Sequence, residues 1–368
     1  MTQSNSLVHS SPAPIFRLQG SHREIGRQLG EQASEQIKHS IEAARVFIEK
    51  AVDYLQLDWQ GAQIQSRKYI PFAQERYPRY VEELMGMADG AGVSFDDIAL
   101  VNAMEAVTSD ALHLEKCTSM AVNETRTADG HVLAVHNEDW LPWDETDVYL
   151  VHAMPDDEPA FLAMSYGCLL PNIGINSFGL GQCCDSVYPR DSRIGIPRVI
   201  VSRAVLGSRS ISQAIRHMVV PHRAAGYNHL LVHESGEMYN IEVSARQFAI
   251  LPAANGALVH TNHYLDPKMQ AIEQEPDEMI STRVRYHRAV RLLTANPKHT
   301  LKSLQEIQQD HVNYPDSICN HDDDTNAMIN RQKTINALIL DVTSRSIHLA
   351  WGNPCVNHSQ TYFLEADA

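Results

Sequence analysis

A change of texture at residue 117 constrains this chain more than any other feature. Before it, apolar residues recur at helical spacing. Ile25, Leu29, Ala33, Ile37 and Ile41 fall four apart, the buried stripe of an amphipathic helix expected to run to about Leu55. Ser21 with Glu24 forms a capping box at its start. A second helix opens at Pro78 and stops at Gly90 or Gly92, and Ser94 with Asp97 repeats the capping signature. After residue 117 the runs shorten. "CTSMAVNET" and "HVLAVHN" flank the turn signal "ADG" and predict a hairpin. Strands are expected at "VYLVHAM", "AFLAMSY" and "GINSFGLGQCC", helices at "PRVIVSRAVLG" and "SISQAIRHMVV". A hairpin across Glu234 to Gly236, strands at "FAILPA" and "ALVHTNH", helices at 281–295 and 300–311 and a final hairpin "NALILDVTSRSIHLAWG" follow. The chain therefore divides into a helical segment, 1–116, and a strand-rich core, 117–368, forming one unit. Helices flanking many strands point to an α+β sandwich with helices outside two packed sheets.

Charge narrows the partners. With 30 basic and 45 acidic residues the formal charge is −15, spread along the chain rather than gathered in a tail. Nucleic acid and anionic membrane surfaces both demand clustered Lys and Arg, so neither is an expected partner. The first residues lack a basic stretch followed by an apolar one, and no apolar run is long enough to span a bilayer. Six cysteines over 368 residues are too sparse for a disulfide framework, and a cytoplasmic location is expected.

Several chemistries are absent from the sequence: there is no nucleophile elbow, Walker loop, dinucleotide fingerprint or H-E-x-x-H. His260 with His263, or Cys319 and His321 beside the run Asp322 to Asp324, are the candidates for a metal. The two histidines three apart on a strand end would point to opposite faces, and an acidic run is ordinarily a solvated loop. No metal and no cofactor are expected. A cysteine nucleophile remains. Cys168, Cys183, Cys184 and Cys355 lie in apolar strand-like runs and read as small core residues. Cys117 is different: polar residues precede it, Thr118 and Ser119 follow, and the hairpin can return "HNEDW" to its side. No histidine follows the usual cysteine-protease pattern, so a buried mid-chain cysteine would lack a base.

These residues carry a resemblance. "GSHREIGRQLGEQ", "YPRYVEELMGMADGAGVSFDDIALVN", "KCTSMAV", "HNEDW", "GINSFGLG", "GIPRVIVSRAVL", "LVHTNHYLDP", "STRVRYHRAVRLL" and "WGNPC" resemble, in this order, blocks of the isopenicillin N acyltransferase family. This family of N-terminal nucleophile hydrolases, also described as acyl-coenzyme A:6-aminopenicillanic acid acyltransferases, contains insect β-alanyl-dopamine hydrolase. The matches run from about residue 17 to residue 355.

The resemblance implies a four-layer αββα sandwich and a chain that cuts itself between Lys116 and Cys117. Cys117 would then be both nucleophile and N-terminus, its own α-amine, with a pKa near 8, serving as base. It implies that Asp139 holds that amine and that Asn262 donates to the oxyanion. Two positions depart from the family pattern. Lys116 stands where glycine is usual, which slows the N-to-S acyl shift if the backbone must strain. Asn320 stands in "SICNH" where the family has arginine, removing a carboxylate clamp from the expected substrate-binding group.

The expected function is therefore a self-processing amidase acting on a small N-acyl or N-aminoacyl amine, a β-alanyl amine among them. The working form would be a heterodimer of two self-derived fragments. Acyl transfer to an amine is the alternative outcome of the same thioester. A metal-dependent hydrolase and a non-catalytic binding protein of the same fold are the competing classes.

Overall fold

Ser21 accepts a hydrogen bond from the Glu24 amide while Glu24 reaches back to the Ser21 backbone, and this box starts the helix His22–Gln32. The structure is a computed structural model describing residues 6–108, 117–274 and 279–365. All five stripe residues from Ile25 to Ile41 are buried. The single helix expected there is nevertheless three: His22–Gln32, Ser34–Lys50 and Val52–Leu55, with non-helical backbone at Ala33. The first piece is committed to the helix Pro78–Ala91, against which it packs almost backbone to backbone. A Cβ on Gly26 would sit 2.0 Å from the Glu83 carbonyl oxygen, so only glycine permits that approach. The bend at Ala33 frees the second piece to cover the Pro142–Asp147 turn. Pro78 begins its helix as expected, and Gly92, left-handed at φ 68°, caps it.

The strands are β1 (Ile15–Gly20), β2 (Thr118–Val122), β3 (Leu133–Trp140), β4 (Val148–Pro155), β5 (Phe161–Tyr166), β6 (Ile173–Asn176), β7 (Leu180–Asp185), β8 (Tyr227–His233), β9 (Met238–Val243), β10 (Phe248–Pro252), β11 (Ala257–His260), β12 (Lys333–Asp341), β13 (Ser346–Trp351) and β14 (Gln360–Phe363). They form an eight-stranded sheet in the order β1-β4-β5-β6-β7-β8-β9-β10 and a six-stranded sheet in the order β11-β2-β3-β12-β13-β14. "GINSFGLGQCC", expected as one strand, is two: Gly179, at φ 75°, turns β6 back into β7. Cys168 and Cys355 lie in turns after β5 and β13 rather than in strands, while Cys183 and Cys184 are core residues of β7.

Side-chain alternation in β2 and β3 explains the layers. Met120, Val122, Leu133 and Val135 point away from the larger sheet and pack on the helices Ile280–Ala295 and Leu301–Gln308. Cys117, Ser119, Ala121, His136 and Glu138 have the opposite parity and face the larger sheet, where Ser119 donates to Asp185 of β7. Helices including Arg198–Leu206 and Ile211–Met218 cover the other side of the larger sheet. The order is helix, sheet, sheet, helix, as the resemblance implies.

The segment before Cys117 is built into this sandwich. β1 pairs in parallel with β4 as an edge of the larger sheet. Glu83 meets the fully buried Arg203 at 2.7 Å, and Asn102 hydrogen-bonds the Cys168 carbonyl at 2.7 Å. No helix among the described residues is long and apolar enough to cross a membrane.

Candidate active site

Cys117 immediately precedes β2 and is buried, 1% exposed. Thr118 pairs with Asn137 across the hairpin, and continuing that register brings Cys117 opposite Glu138 with its backbone nitrogen on the Asp139 side. The backbone nitrogen of Cys117 therefore enters the sheet level with Asp139, while its thiol turns to the other face beside Glu138. Lys116 lies outside the described residues.

Asp139 is fully buried. Thr334 donates to its Oδ1 at 2.5 Å, and its Oδ2 has no hydrogen-bond partner. Burial pushes its carboxyl up to about 7, against the pull of Arg285 and of the Thr334 hydroxyl. A buried carboxylate oxygen without a donor is costly, and a cation arriving from the Cys117 side would satisfy it.

Asn262 lies just beyond β11, its Nδ2 donating to the Ser186 carbonyl at 3.1 Å and its amide nitrogen to Thr282. An Asn side chain has two N–H donors, so one remains for another acceptor. Arg285, from the helix Ile280–Ala295, ties the site together. It donates to the Cys117 carbonyl at 2.6 Å, to Thr118 Oγ1 at 2.9 Å and to Asn262 Oδ1 at 2.8 Å. Holding Asn262 by its oxygen fixes which end of the amide presents donors. Arg285 stands in "STRVRYHRAVRLL"; in the sequence it is one of four arginines on a helix, and nothing in the spacing marks it.

A second feature was not legible in the sequence. The Cys117 thiol lies 3.9 Å from Glu138 Oε2, which also takes a hydrogen bond from His136 Nε2 at 2.7 Å; Tyr166 donates to Glu138 Oε1 at 3.1 Å. A histidine thus does stand behind the thiol, through a carboxylate two residues from it on the same strand. His136 continues through Ser119 at 2.8 Å to Asp185, which forms an ion pair with His260 at 3.4 Å. Burial works against a charged His136, but the Glu138 bond and nearby carboxylates outweigh it and raise its pKa. His260 is likewise raised to about 9, burial being overcome by Asp185 and Glu242. Cys117, His136 and Glu138 place donor atoms within 4.8 Å of one another and could hold a metal, but the same Glu138 oxygen already bonds His136.

A cavity opens beside Glu138 and Tyr166, walled further by Trp140, Trp143, Asp144 and Tyr227. Burial, then repulsion from Asp147, pushes the Asp144 carboxyl well up. Glu105, also on this wall, is ion-paired with Arg198.

Asn320 is not among the residues lining this cavity. It is 1% exposed, its backbone exchanges hydrogen bonds with Thr334 at 2.9 and 3.0 Å, and its Nδ2 has no partner. It is linked to the site through Thr334, which bonds Asp139. His260 and His263 do not converge: His260 faces Asp185 and Glu242, and His263 bonds Thr282 at 3.0 Å.

The model of the family described as acyl-coenzyme A:6-aminopenicillanic acid acyl-transferase matches residues 125–355. Over 352 residues, 94% of either chain, the protein is 25% identical to the acyl-coenzyme A:6-aminopenicillanic-acid-acyltransferase 40 kDa form of Emericella nidulans. It is 25% identical over 236 residues to the β-alanyl-dopamine/carcinine hydrolase of Drosophila melanogaster, spanning 59% of each chain. Among solved structures, a conjugated bile acid hydrolase variant from Clostridium perfringens overlays with a TM-score of 0.45 at 12% identity, over 68% of this chain and 99% of that one.

Proposed function

The chain belongs to the acyl-coenzyme A:6-aminopenicillanic acid acyl-transferase family, and on that premise we propose that it is a self-processing cysteine amidase. The Cys117 thiol attacks the Lys116 carbonyl, the peptide nitrogen leaves as a free α-amine, and water resolves the thioester to a Lys116 carboxylate. The observation that carries this reading is Asp139 Oδ2, buried and unpartnered level with the nitrogen of Cys117. An α-ammonium released there gains a buried carboxylate, and a charge-assisted bond of this kind is about twice as strong as a neutral one. The fragments stay together because β1 remains paired with β4 and Glu83 remains buried against Arg203.

In the mature enzyme the α-amine takes the thiol proton and Cys117 attacks the carbonyl of a small amide. Asn262 donates its spare N–H to the developing oxyanion, and Arg285 keeps the amide turned for that task. The leaving amine departs with the proton, and water hydrolyses the thioester to a carboxylic acid, restoring the thiol. The aromatic cavity with the buried Asp144 on its wall suits a cationic or uncharged amine, such as a β-alanyl amine, better than an anion. The name of the Emericella relative, matched over 94% of its length, supports a second reading in which an amine replaces water at the thioester.

Acid quenching during turnover of a β-alanyl amine tests this. A hydroxylamine-sensitive acyl mass on the peptide beginning at Cys117 is expected; turnover with no acyl group on that peptide would overturn the reading. Product analysis with and without an added amine separates hydrolysis from transfer.

A further inference from the structure

Away from the Cys117 site, His311, Cys319, His321 and Cys355 converge, their donor atoms all within 4.8 Å of one another. His321 Nε2 is 3.0 Å from His311 Nε2, 3.5 Å from Cys319 Sγ and 3.6 Å from Cys355 Sγ. One imidazole nitrogen carries either a proton or a lone pair, so it cannot serve three partners as a hydrogen-bonding atom. A shared ion serves all of them. Tetrahedral zinc with bonds of about 2.3 Å to sulfur and about 2.0–2.1 Å to nitrogen requires edges of roughly 3.6 Å for S···N and 3.3 Å for N···N. The observed edges match within the few tenths of an ångström by which ligands close on a metal.

We propose that these four residues form a zinc site with two thiolate and two imidazole ligands. All four positions are filled by protein, leaving none for substrate, so the site is structural. Supporting groups are in place around it: Asn353 Nδ2 donates to Cys319 Sγ at 3.6 Å, and Ser6 Oγ lies 3.3 Å from the far nitrogen of His321, fixing the ring. The neighbouring aspartates are engaged elsewhere, Asp322 with Arg331 at 2.9 Å and Asp323 with Thr325. The expectation of no metal saw Cys319 and His321 with those aspartates; the fold supplies instead His311, from the start of the same loop, and Cys355, from the turn after β13.

The ion staples the 311–321 loop to the turn after β13, and its grip extends toward Asp139. Cys319 and His321 flank Asn320, whose backbone holds Thr334, which in turn holds Asp139 at 2.5 Å. Zinc thus positions the catalytic centre without touching it.

The test is elemental analysis of untagged protein purified without chelator, alongside His311→Ala, Cys355→Ser and Cys117→Ala. About one zinc per chain is expected in the wild type and Cys117→Ala, with at least a five-fold loss in the other two. His311 is at the surface, so its variant keeps the protein folded if the cysteine variant does not. Chelation should lower the Tm of the wild type but not of His311→Ala, and zinc added back should restore it. Cobalt loading should give thiolate-to-metal absorption in the wild type that Cys355→Ser lacks. Wild-type protein that contains no zinc and binds none on titration overturns the proposal. So does zinc retained by both ligand variants, zinc lost from Cys117→Ala, or a Cys319–Cys355 disulfide in protein kept under reductant.

Discussion

Arg285 donates to the backbone carbonyl oxygen of Cys117 at 2.6 Å, and with its other arm it reaches Asn262 Oδ1 at 2.8 Å. One fully buried guanidinium therefore fixes both the residue proposed to attack and the residue proposed to stabilise the resulting charge. Arg285→Lys keeps the charge but replaces a rigid fork with a single flexible ammonium. Turnover is expected to fall by about 10- to 100-fold with KM changing little, since these hydrogen bonds position reacting groups. Steady-state kinetics check this; near wild-type kcat would remove Arg285 from the site.

Asn262→Ala removes the spare amide donor. A loss of about 100- to 1000-fold in kcat is expected, the cost of one oxyanion donor. If instead KM rises at constant kcat, Asn262 binds the substrate ground state and is not an oxyanion donor.

The raised pKa of Asp139 gives a signed pH dependence in the unprocessed chain. Between its ordinary 3.8 and about 7 the folded state holds a proton that the unfolded state has released. Stability from this group is full at low pH and declines as pH rises through that window, by on the order of 1 kcal/mol per pH unit. Urea melts of Cys117→Ala from pH 4 to pH 7 should show the decline, and adding Asp139→Asn should remove that component. In the processed protein the α-ammonium lowers the Asp139 pKa, so the decline should be absent there. Parallel pH profiles for all three proteins would refute the pairing.

Asp144 offers a test of substrate charge inside the cavity. A cationic β-alanyl amine, a neutral acyl amine and a penicillin-type anion are expected to rank in that order of kcat/KM. Burial favours the neutral Asp144 carboxyl and a bound cation favours the ionised one, so kcat/KM for the cation should rise with pH more than for the neutral amide, and Asp144→Asn should remove that difference. The anion ranking first would contradict the assignment.

Most of the fold was legible because its signals are local. The Ser21 and Ser94 caps, the Pro78 start, the Gly92 stop and the hairpin after Cys117 each depend on a few consecutive residues. The break at Ala33 was not, because it follows from the close approach of Gly26 to Glu83, far apart in sequence. The site divides along the same line. Cys117 and Asp139 share one hairpin, and the turn signal brings them together. Arg285 comes from a helix more than a hundred residues later, and the four-residue Cys/His cluster joins a loop to the turn after β13. Asn320 showed its departure from the family pattern in the sequence, but its burial behind Thr334, away from the cavity, needed the fold.

The most direct measurement is the intact mass of purified protein aged at neutral pH, with N-terminal sequencing of what it contains. Fragments of 116 and 252 residues are expected, the larger beginning at Cys117, that co-elute under native conditions, while Cys117→Ala stays one chain of 368. A wild-type sample that shows only the full-length mass and the original N-terminus, yet turns over amides, would contradict self-processing at Cys117.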